Sequence, residues 1–494
     1  MIAAHPADSV RAAERAALAL LAPDALMQRA AAALDVECAR ALRRRAGGLV
    51  GRRVVVLAGS GDNGGDALLA AARLARRGVA VLALRTAATA HAAGERAARA
   101  AGARVREWAP GDESTCAAAD LLVDGVAGIG GRGGLRAPLL ALPAALAAAG
   151  ERAPLVVAVD LPSGLDADSG AVGGTVLPAD LTVTFGTAKP AHLLGPAAGL
   201  CGRLVVADIG VAGLLGAPAV ERVELADVAR RWRRAGAGDD KYSRGVVGVV
   251  AGGPDYTGAA VLAVEAAVRA GAGMVRYAGP EHPAEVVRLR RPEAVVGTGR
   301  VQAWVLGPGV SPDDGEQQAR IRDALASGEP AVVDAGALGG LPATLGPQHV
   351  LTPHAGELAR LLAALGEEAS RAEVEADPLA HARRVHEATG ATVLLKGAVT
   401  TVVGAGRVLT AATAPPWLST AGAGDVLAGI LGAALAGRPH DPPAEVAADA
   451  AALHGWAAAL ASAGGPLAAL DVADAVPAAL TSLPGWPGGE VPGR

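Results

Sequence analysis

The chain has 494 residues, more than a single hydrophobic core usually accommodates, so its length predicts two domains of ordinary size. Its 45 basic and 49 acidic residues leave a net charge of −4, which argues against a nucleic-acid partner and favours a small-molecule substrate. The cysteines Cys38, Cys116 and Cys201 are widely spaced, and this pattern predicts neither a disulfide framework nor a zinc site.

Apolar stretches are short along the whole chain. Proline, glycine or a charged residue interrupts each of them before it reaches the length of a bilayer span, as in residues 137–152. Charged residues also interrupt the helical pattern of the first 20 residues, so we expect no export signal. The sequence therefore predicts a cytoplasmic protein without a membrane partner.

Short runs rich in valine and leucine alternate with helical patterns in the first half of the chain. Strands buried on both faces of a parallel sheet have this composition, and the segments between them, such as 65–77 and 138–149, are long enough for crossover helices. The pattern predicts an α/β domain over residues 1–215 with a Rossmann-like, doubly wound sheet. The predicted strands span residues 53–59, 79–84, 120–125, 154–160, 180–185 and 203–210.

The glycines at positions 59, 61 and 64 match the G-x-G-x-x-G pattern of a dinucleotide-binding loop. Two features disfavour an ordinary dehydrogenase site. The second strand ends in Arg85 rather than in an acidic residue, although an arginine suits a 2′-phosphate. Asn63 and Asp66 also place polar side chains where the dehydrogenase pattern uses only backbone.

Polar residues follow three of the predicted strands, where open α/β sheets bind their ligands. Asp124 precedes a glycine-rich loop at 128–134, and Asp160 is followed by Ser163. Either Asp124 or Ser163 alone is better explained as a turn or helix cap, but their joint occurrence at strand ends favours a binding site. Lys189 is open to two interpretations, as a phosphate contact or as a surface lysine.

Four ordered strings, DNGGDALLAARLARRG, VDGVAGIGGRGG, VVAVDLPSGLDADSG and DLTVTFGTAKPAHLLGP, resemble the N-terminal domain of the bifunctional NAD(P)H-hydrate repair enzymes. The resemblance covers residues 8–212. It implies an epimerase that interconverts the R and S forms of NADH and NADPH hydrated at ring carbon six. The first string departs from the usual NNGGDG of this family at Asp62 and Ala67.

The resemblance also assigns roles to individual residues. Asp160 is implied to be the acid/base group at the nicotinamide, and potassium is implied to bind Asn63, Asp124 and Ser163. The residues implied to cradle the hydrated dinucleotides NADHX and NADPHX are Asp62, Asn63, Gly64, Gly65, Asp66, Gly128, Ile129, Gly130, Gly131, Arg132, Gly133 and Gly134.

The strand pattern lapses over residues 216–238, whose charged and then glycine-rich composition predicts a linker. A solvated linker face explains the RRWRR run at 230–234 better than a nucleic-acid patch does. A second series of strands predicts another α/β domain over 239–477, and the tail at 478–494 is predicted to be disordered. The second series comprises residues 245–253, 274–279, 301–309, 330–336, 349–354 and 391–397.

The string STAGAGDVLAGIL at 419–431 places a glycine-rich turn directly before an apolar helix. The N–H groups of Gly422 to Gly424 are suited to hold the charge of a transferring phosphoryl group, and Asp425 is suited to deprotonate a hydroxyl group. An aspartate that merely caps the helix explains an isolated GAGD motif equally well.

Three further strings, KGAVTTVVG from Lys396, GPGV at 307–310 and LTPHAGELARLL at 351–362, accompany this motif. Together they resemble the ADP-dependent NAD(P)H-hydrate dehydratases of the ribokinase-like superfamily, over residues 240–465. The resemblance implies that Asp425 is the base, that ADP or ATP is the co-substrate and that Mg²⁺ neutralises its phosphates. Relatives usually carry a second acid where this chain has Gly336, so weaker support for metal or substrate is expected there.

The same resemblance assigns the remaining contacts of the second domain. The hydrate is implied to face Ala259, Gly309 and His354. The residues implied to hold the nucleotide are Lys396, Gly397, Ala398, Val399, Thr400, Gly422, Ala423 and Gly424.

The two resemblances together predict a homo-oligomeric repair enzyme that epimerises the R and S hydrates and dehydrates the S form with ADP or ATP. Two alternatives stay open. A vitamin or sugar kinase fused to a dinucleotide-binding domain would share the GAGD motif and the fold. A non-catalytic dinucleotide-binding scaffold would share the first domain.

Overall fold

Two units divide the chain close to residue 220. The computed structural model describes residues 1–342 and 344–486. Residues 3–220 form one unit, here the N-terminal unit, and residues 1–2 with the chain from 221 onward form the other, the C-terminal unit. The prediction of two α/β domains is confirmed.

The N-terminal unit is built on a parallel sheet. The helices and strands up to residue 207 are β1 (Ile2–Ala4), α1 (Ala7–Leu18), α2 (Ala25–Ala46), β2 (Arg53–Ala58), α3 (Asp62–Arg76), β3 (Ala80–Arg85), α4 (Ala92–Ala100), β4 (Arg104–Glu107), α5 (Asp112–Ala117), β5 (Leu121–Gly125), α6 (Leu142–Ala148), β6 (Leu155–Val159), β7 (Leu181–Phe185), α7 (Pro190–Leu193) and β8 (Arg203–Ala207). The strand order is β4-β3-β2-β5-β6-β7-β8. The chain leaves β2 towards β4 and returns to the other side at β5, which creates a switch point between β2 and β5.

Both faces of this sheet are covered by apolar side chains. Val54, Val56 and Ala58 of β2 belong to one hydrophobic cluster, and Val55 and Leu57 belong to another. Because alternate residues of a strand point to opposite faces, β2 is buried on both sides, as its continuous apolar run predicts.

The sequence did not predict β4. Its residues, RVRE, alternate charged side chains with a single valine, and the strand lies at the edge of the sheet. An edge strand can carry exposed charges that a central strand cannot, so it lacks the apolar run on which the prediction relied.

The C-terminal unit is built on a second, mainly parallel sheet. From residue 220 onward the helices and strands are β9 (Val220–Arg222), α8 (Leu225–Arg231), β10 (Val246–Val250), α9 (Thr257–Arg269), β11 (Met274–Tyr277), α10 (Glu281–Arg290), β12 (Val295–Val296), β13 (Ala303–Leu306), α11 (Gly315–Ala326), β14 (Ala331–Val333), β15 (His349–Leu351), α12 (Ala355–Ala364), α13 (Arg371–Ala376), α14 (Pro378–Thr389), β16 (Thr392–Leu395), β17 (Thr400–Gly404), β18 (Arg407–Ala411), α15 (Ala423–Gly437), α16 (Pro443–Ser462) and α17 (Ala469–Thr481). From β9 the order is β9-β18-β17-β16-β15-β14-β13-β10-β11-β12, with β17 antiparallel to both of its neighbours.

Helix α15 is apolar on every side and lies in the core of the C-terminal unit. Two of its glycines permit close contact with neighbouring elements. A Cβ at Gly429 would overlap the carbonyl oxygen of Ala263 on α9, and one at Gly432 would overlap the side chain of Val305 on β13. The apolar stretch after the GAGD motif therefore positions the start of α15 firmly against the sheet.

The segment at 216–238, expected to be a linker, contains β9 and α8. Val228 and Trp232 are buried, and Nε of Arg231 donates to Oδ2 of Asp449 on α16 at 2.9 Å. The RRWRR run thus contributes an ion pair and a core side chain to the C-terminal unit. The prediction of a solvated linker relied on the charged composition alone, and composition cannot show that Arg231 has a buried partner on a distant helix.

The tail expected to be disordered starts at residue 478, but α17 continues to Thr481 and Leu483 is buried. Residues 487–494 lie outside the described residues. Among residues 1–342 and 344–486, no helix combines the length and hydropathy that a bilayer crossing requires.

Glu265 on α9 is a fully buried carboxylate with three arginine partners. Its Oε1 accepts from Arg269 at 2.7 Å and from Arg291 at 2.5 Å, and its Oε2 lies 3.4 Å from Arg290. Burial raises the pKa of Glu265, but the hydrogen bonds and charges of the arginines outweigh burial and lower it to about 2. The cluster links α9 to α10.

Glu265→Gln is expected to lower the free energy of unfolding of the C-terminal unit by about 3 kcal/mol at neutral pH, because it leaves the arginines without their buried partner. The native pKa is depressed, so this stabilisation is present above the unfolded-state value of about 4.3 and is lost as the pH falls towards 2. Urea unfolding at neutral and acidic pH measures the difference. Glu293→Gln removes an exposed partner of Arg291 and is the control, with an expected effect below about 0.5 kcal/mol. Equal effects of the two variants would contradict the assignment.

Candidate active sites

Asp160 follows β6 at the carboxyl edge of the N-terminal sheet. Its φ of 63° lies in the left-handed region, which a non-glycine residue rarely adopts outside functional sites. Its Oδ1 accepts from Nζ of Lys189 at 2.5 Å and from Oγ1 of Thr184 at 2.9 Å. Burial raises the pKa of Asp160, but the Lys189 ammonium outweighs burial and holds the pKa below its usual range. Asp160 is therefore ionised at neutral pH.

Asp66, on α3, interacts with Asp160, but its pKa is shifted in the opposite direction. The residue is buried, and its Oδ1 accepts no hydrogen bond from any residue that the structure describes. Burial, followed by the charges of Asp160, Asp62 and Glu14, raises the pKa of Asp66 well above its usual value. Burial likewise raises the pKa of Glu14, on α1. The site thus combines an ionised carboxylate with two carboxyl groups whose pKa values are raised.

The segment that begins α3, with Asn63, meets the glycine-rich loop at 128–134 at Gly128. A Cβ at this glycine would lie 3.0 Å from Oδ1 of Asn63 and 3.3 Å from Oδ2 of Asp160. The loop at Gly128 therefore approaches both polar groups so closely that a side chain there would crowd them. Ala67, the departure from the usual motif, is fully buried and packs beneath Gly125.

Other predicted members of the dinucleotide cradle lie elsewhere. Gly134 backs onto Gly174, since a Cβ on it would lie 3.0 Å from the Gly174 Cα. The carbonyl oxygen of Ile129 accepts from Arg11 of α1 at 3.0 Å. Arg85, considered above for a 2′-phosphate, donates to Glu107 at 2.7 Å.

Asp124 and Ser163 are in direct contact, as their positions at neighbouring strand ends predict. The Ser163 hydroxyl donates to Oδ1 of Asp124 at 2.6 Å, and the Ser163 N–H donates to Oδ2 at 2.8 Å. Burial raises the pKa of Asp124 to about 6, although these hydrogen bonds lower it. Across the described residues Asp124 has no ion pair, and its partners are the hydroxyl and N–H of Ser163 and the N–H of Val126. A fully buried carboxylate is thus held by neutral groups alone.

The second site lies where α15 begins, beside the ends of β14 and β16. Gly422, with φ of 85°, caps α15, and Asp425 lies in its first turn. Lys396 Nζ donates to Oδ1 of Asp334 at 2.8 Å, and a Cβ at Gly424 would lie 3.3 Å from the same Nζ. Burial and then the charge of Asp334 raise the pKa of Asp425 to about 7, although Lys396 lowers it.

His354 caps α12 next to this site. Nδ1 of His354 accepts from the backbone N–H groups of Gly356 at 3.0 Å and Glu357 at 3.3 Å. The backbone N–H of His354 donates to Oε2 of Glu357 at 2.8 Å. Backbone pairing places His354 opposite Lys396. The side chain is 52% exposed, so one edge of the ring remains available to a ligand.

Ala259 and Gly309 are brought together at another part of the C-terminal sheet edge. A Cβ at Gly309 would lie 2.6 Å from the Cβ of Ala259 and 2.9 Å from that of Tyr256. The turn around Gly309, where φ is 64°, therefore requires glycine. The other predicted nucleotide contacts, Gly397, Ala398 and Val399, form the turn between β16 and β17.

The structure changes the expectation for Gly336. A Cβ at this position would overlap the carbonyl oxygen of Val310, so no side chain fits there. Asp334 instead supplies the acid beside Lys396, two residues earlier in the chain. This part of the site therefore does contain an acid, although Gly336 cannot supply it.

Several residues at the two sites had no place in the sequence prediction. Asp334 follows β14 directly, so the rule that singled out Asp124 and Asp160 would have found it as well. Glu14 lies on a helix whose sequence carries no separate signal, whereas Glu357 lies within the LTPHAGELARLL string but received no role of its own. Thr184 and His192 become relevant only through their contacts with Asp160, which the sequence does not show.

Comparisons with known proteins match both units of the chain. A family described as NAD(P)H-hydrate dehydratase matches residues 247–477, and one described as YjeF-related protein N-terminus matches residues 23–191. The bifunctional NAD(P)H-hydrate repair enzyme of Mycobacterium tuberculosis is 45% identical over 449 residues, which are 87% of this chain and 89% of the relative. That of Mycobacterium leprae is 42% identical over 473 residues, 92% of this chain and 93% of the relative.

A solved structure is similar to part of the chain. The ADP/ATP-dependent NAD(P)H-hydrate dehydratase from Bacillus subtilis, co-crystallized with ATP/Mg²⁺, is 25% identical with a TM-score of 0.49. It covers 54% of this chain and 99% of that chain.

Each α/β unit has aspartates at the carboxyl edge of its own sheet, and the two family matches fall on different units, as in a two-domain bifunctional enzyme. The chain belongs to the family of bifunctional NAD(P)H-hydrate repair enzymes, since a relative 45% identical matches along nearly its whole length. The family predicted from the motifs is confirmed.

Gly336→Ala is expected to lower the free energy of unfolding of the C-terminal unit by about 3 kcal/mol, because the added methyl group overlaps the Val310 carbonyl. Gly339→Ala is the matched control in the same 3-10 segment, where a Cβ has open space around it. Its effect is expected to stay within about 0.5 kcal/mol. Urea unfolding of both variants measures the difference, and a tolerated alanine at 336 would show that this turn is not constrained as described.

Proposed function

We propose that this chain repairs hydrated NADH and NADPH: the N-terminal unit epimerises the R and S hydrates, and the C-terminal unit dehydrates the S hydrate with ADP or ATP. The observation that carries this proposal is the state of the two aspartates. Asp160 is ionised beside Lys189, and Asp425 has a pKa of about 7 at the start of α15. Each is poised to accept a proton near neutral pH.

In the C-terminal unit, Asp425 takes the proton of the ring hydroxyl. The hydroxyl oxygen attacks the terminal phosphorus of the nucleotide, and the nucleotide with one phosphate fewer leaves. The C6–O bond then breaks with its electron pair on the phosphate, the N1 lone pair assists, and loss of a proton from C5 restores the dihydropyridine ring. N–H groups of residues 422–424 stabilise the charge on the transferred phosphoryl group.

In the N-terminal unit, Asp160 takes the proton of the same hydroxyl group. The C6–N1 bond breaks with its electron pair on N1, and the protonated carboxyl of Asp66 supplies a proton to N1. Closure of the ring on the opposite face of C6 returns both protons and gives the other epimer. Two carboxyl groups whose pKa values are shifted in opposite directions support this division of roles.

The family resemblance implies two metal ions, potassium and Mg²⁺, and the residues present bear on how each would be held. Potassium would be held by oxygen atoms of Asn63, Asp124 and Ser163, and when bound it supplies positive charge beside the dinucleotide loops. The described residues contain no group of three ligands that would hold a divalent ion by themselves. Mg²⁺ would therefore depend on the nucleotide phosphates together with an acid such as Asp334, as is usual for this ion.

The full-length chain is expected to convert an R/S mixture of NADHX completely into NADH when ADP and Mg²⁺ are present, measured as absorbance at the NADH band. Asp425→Asn is expected to lower the dehydration rate at least about 100-fold. Asp160→Asn is expected to consume the S form at the normal rate and then to slow to uncatalysed epimerisation. A stable phosphorylated product without recovered NADH would favour the kinase alternative, and no reaction at all would favour the scaffold alternative.

The dehydratase reaction is expected to gain kcat/KM as the pH rises through about 7, because Asp425 must be ionised. Asp334→Asn removes a negative charge that raises the pKa of Asp425, so the acidic limb of the profile moves to lower pH by about 1 unit. Asp323→Asn, an exposed change on α11, is the control and leaves the limb in place. A limb that stays near pH 7 in Asp334→Asn would show that another group titrates there.

A further inference from the structure

Lys189 is buried in the N-terminal unit beside Asp160, with a relative exposure of 1%. Its ammonium group donates to Oδ1 of Asp160 at 2.5 Å, to Oγ1 of Thr184 at 2.9 Å and to the carbonyl oxygen of Phe185 at 3.3 Å. A lysine ammonium has three protons, and these contacts use all three. Lys189 therefore has no proton left to donate to a substrate.

The backbone of the same segment is fixed by His192 on α7. Its Nδ1 accepts from the N–H of Lys189 at 2.9 Å, so Nε2 carries the proton and donates to the backbone oxygen of Asp160 at 2.9 Å. This second contact holds Asp160 in its left-handed conformation, which costs about 1–3 kcal/mol for a residue other than glycine. Side chain and backbone of Asp160 are thus restrained from the same short stretch of chain.

The two oxygens of Asp160 have different surroundings. Oδ1 receives the hydrogen bonds from Lys189 and Thr184, whereas Oδ2 lies on the side of Gly128, 3.3 Å from where a Cβ of that residue would stand. Oδ2 is therefore the oxygen of Asp160 that these two donors leave for a substrate proton.

Other titratable groups lie around Asp160. Glu14 on α1 and Asp66 on α3 interact electrostatically with Asp160, Asp62 on α3 interacts with both of these, and His192 on α7 favours the charge of Asp160. Burial is the largest effect on the pKa of Asp160 and raises it, so without the lysine the carboxylate would lose its main compensating charge. The ammonium at 2.5 Å decides its state.

We propose that Lys189 is a positioning residue of the epimerase reaction, which binds Oδ1 of Asp160 and keeps the carboxylate charged so that Oδ2 takes the substrate proton. The inference rests on the proposed role of Asp160 as the base. It predicts that loss of Lys189 changes the pH at which the enzyme works and not the binding of the hydrate.

The test uses the full-length chain without ADP and follows the R and S hydrates by chromatography. In Lys189→Met the acidic limb of kcat/KM is expected to move upward by about 2 units or more, because burial then acts without the charge that compensates it. At a pH below the wild-type limb this corresponds to a loss of roughly 100-fold, which disappears as the pH rises above the shifted limb, with KM unchanged. Dehydration of the S hydrate by the same preparation is expected to stay at the wild-type rate.

Two threonines of β7 provide a matched pair. Thr184→Val removes the hydroxyl that donates to Asp160, whereas Thr182→Val removes one that donates to the carbonyl of Cys201 at 2.7 Å. Both side chains are fully buried. Thr184→Val is expected to move the acidic limb upward by about 0.5–1 unit, and Thr182→Val is expected to leave it in place. Equal profiles for the two variants would overturn the proposal even if Lys189→Met fails to fold.

Stability gives a readout that does not depend on activity. Lys189→Met leaves an unpaired buried carboxylate and is expected to be destabilised more at alkaline than at acidic pH, and Asp160→Asn in the same chain should restore most of the loss. Independent, additive effects of the two changes would overturn the coupling. If Asp160→Asn alone leaves epimerisation intact, the proposed base is wrong. If it abolishes epimerisation while Lys189→Met keeps the wild-type pH profile or raises KM, only the positioning role is wrong.

Discussion

A carboxylate that is removed from water must gain a compensating charge or take up a proton, and both sites of this chain depend on that constraint. Asp160 has an ammonium group at 2.5 Å and remains ionised. Asp425 is buried beside a second carboxylate, Asp334, which accepts the hydrogen bond of Lys396. The pKa of Asp425 therefore rises to about 7. The same side chain is thus prepared for proton transfer in two different ways.

The backbone around the first site explains how carboxylates can be placed so close together. A Cβ at Gly59 would overlap the carbonyl oxygen of Val126, and one at Gly64 would overlap that of Gly59. The loops after β2 and β5 are therefore in backbone contact at the switch point. Close contact brings Asn63 towards Gly128 and Asp160, and it also excludes the water that would otherwise solvate these groups. Gly59 and Gly64 of the G-x-G-x-x-G pattern are therefore required by the packing of the two loops, whether or not a ligand is bound.

Much of this organisation follows from the sequence, because it depends on short-range patterns. Continuous apolar runs locate central strands such as β2 and β5, and the rule that ligands bind at strand ends locates Asp124 and Asp160. The remainder depends on contacts between distant residues. The pairing of Arg231 with Asp449 turns an apparent linker into part of a core, and the overlap at Gly336 excludes the side chain that the motif led us to expect. The raised pKa of Asp66 depends on burial together with Asp160 at a strand end and with Asp62 and Glu14 on two helices, which no local pattern encodes.

The choice of lysine at both sites follows from the same constraint. The chain has 45 basic residues, yet lysine occurs only at positions 189, 241 and 396, and arginine fills every other position. Two of these three lysines are each paired with an aspartate at a proposed active site. An ammonium group is a compact point charge with three donors, so it fits a closed pocket between a carboxylate, a hydroxyl and a carbonyl, where the wide planar guanidinium does not. Two of the three lysines of this arginine-rich chain thus lie where a single small cation sits against a carboxylate, whereas Lys241 lies over the ring of Tyr242. Lys189, which the motif alone left ambiguous, is distinguished on this ground from a surface residue.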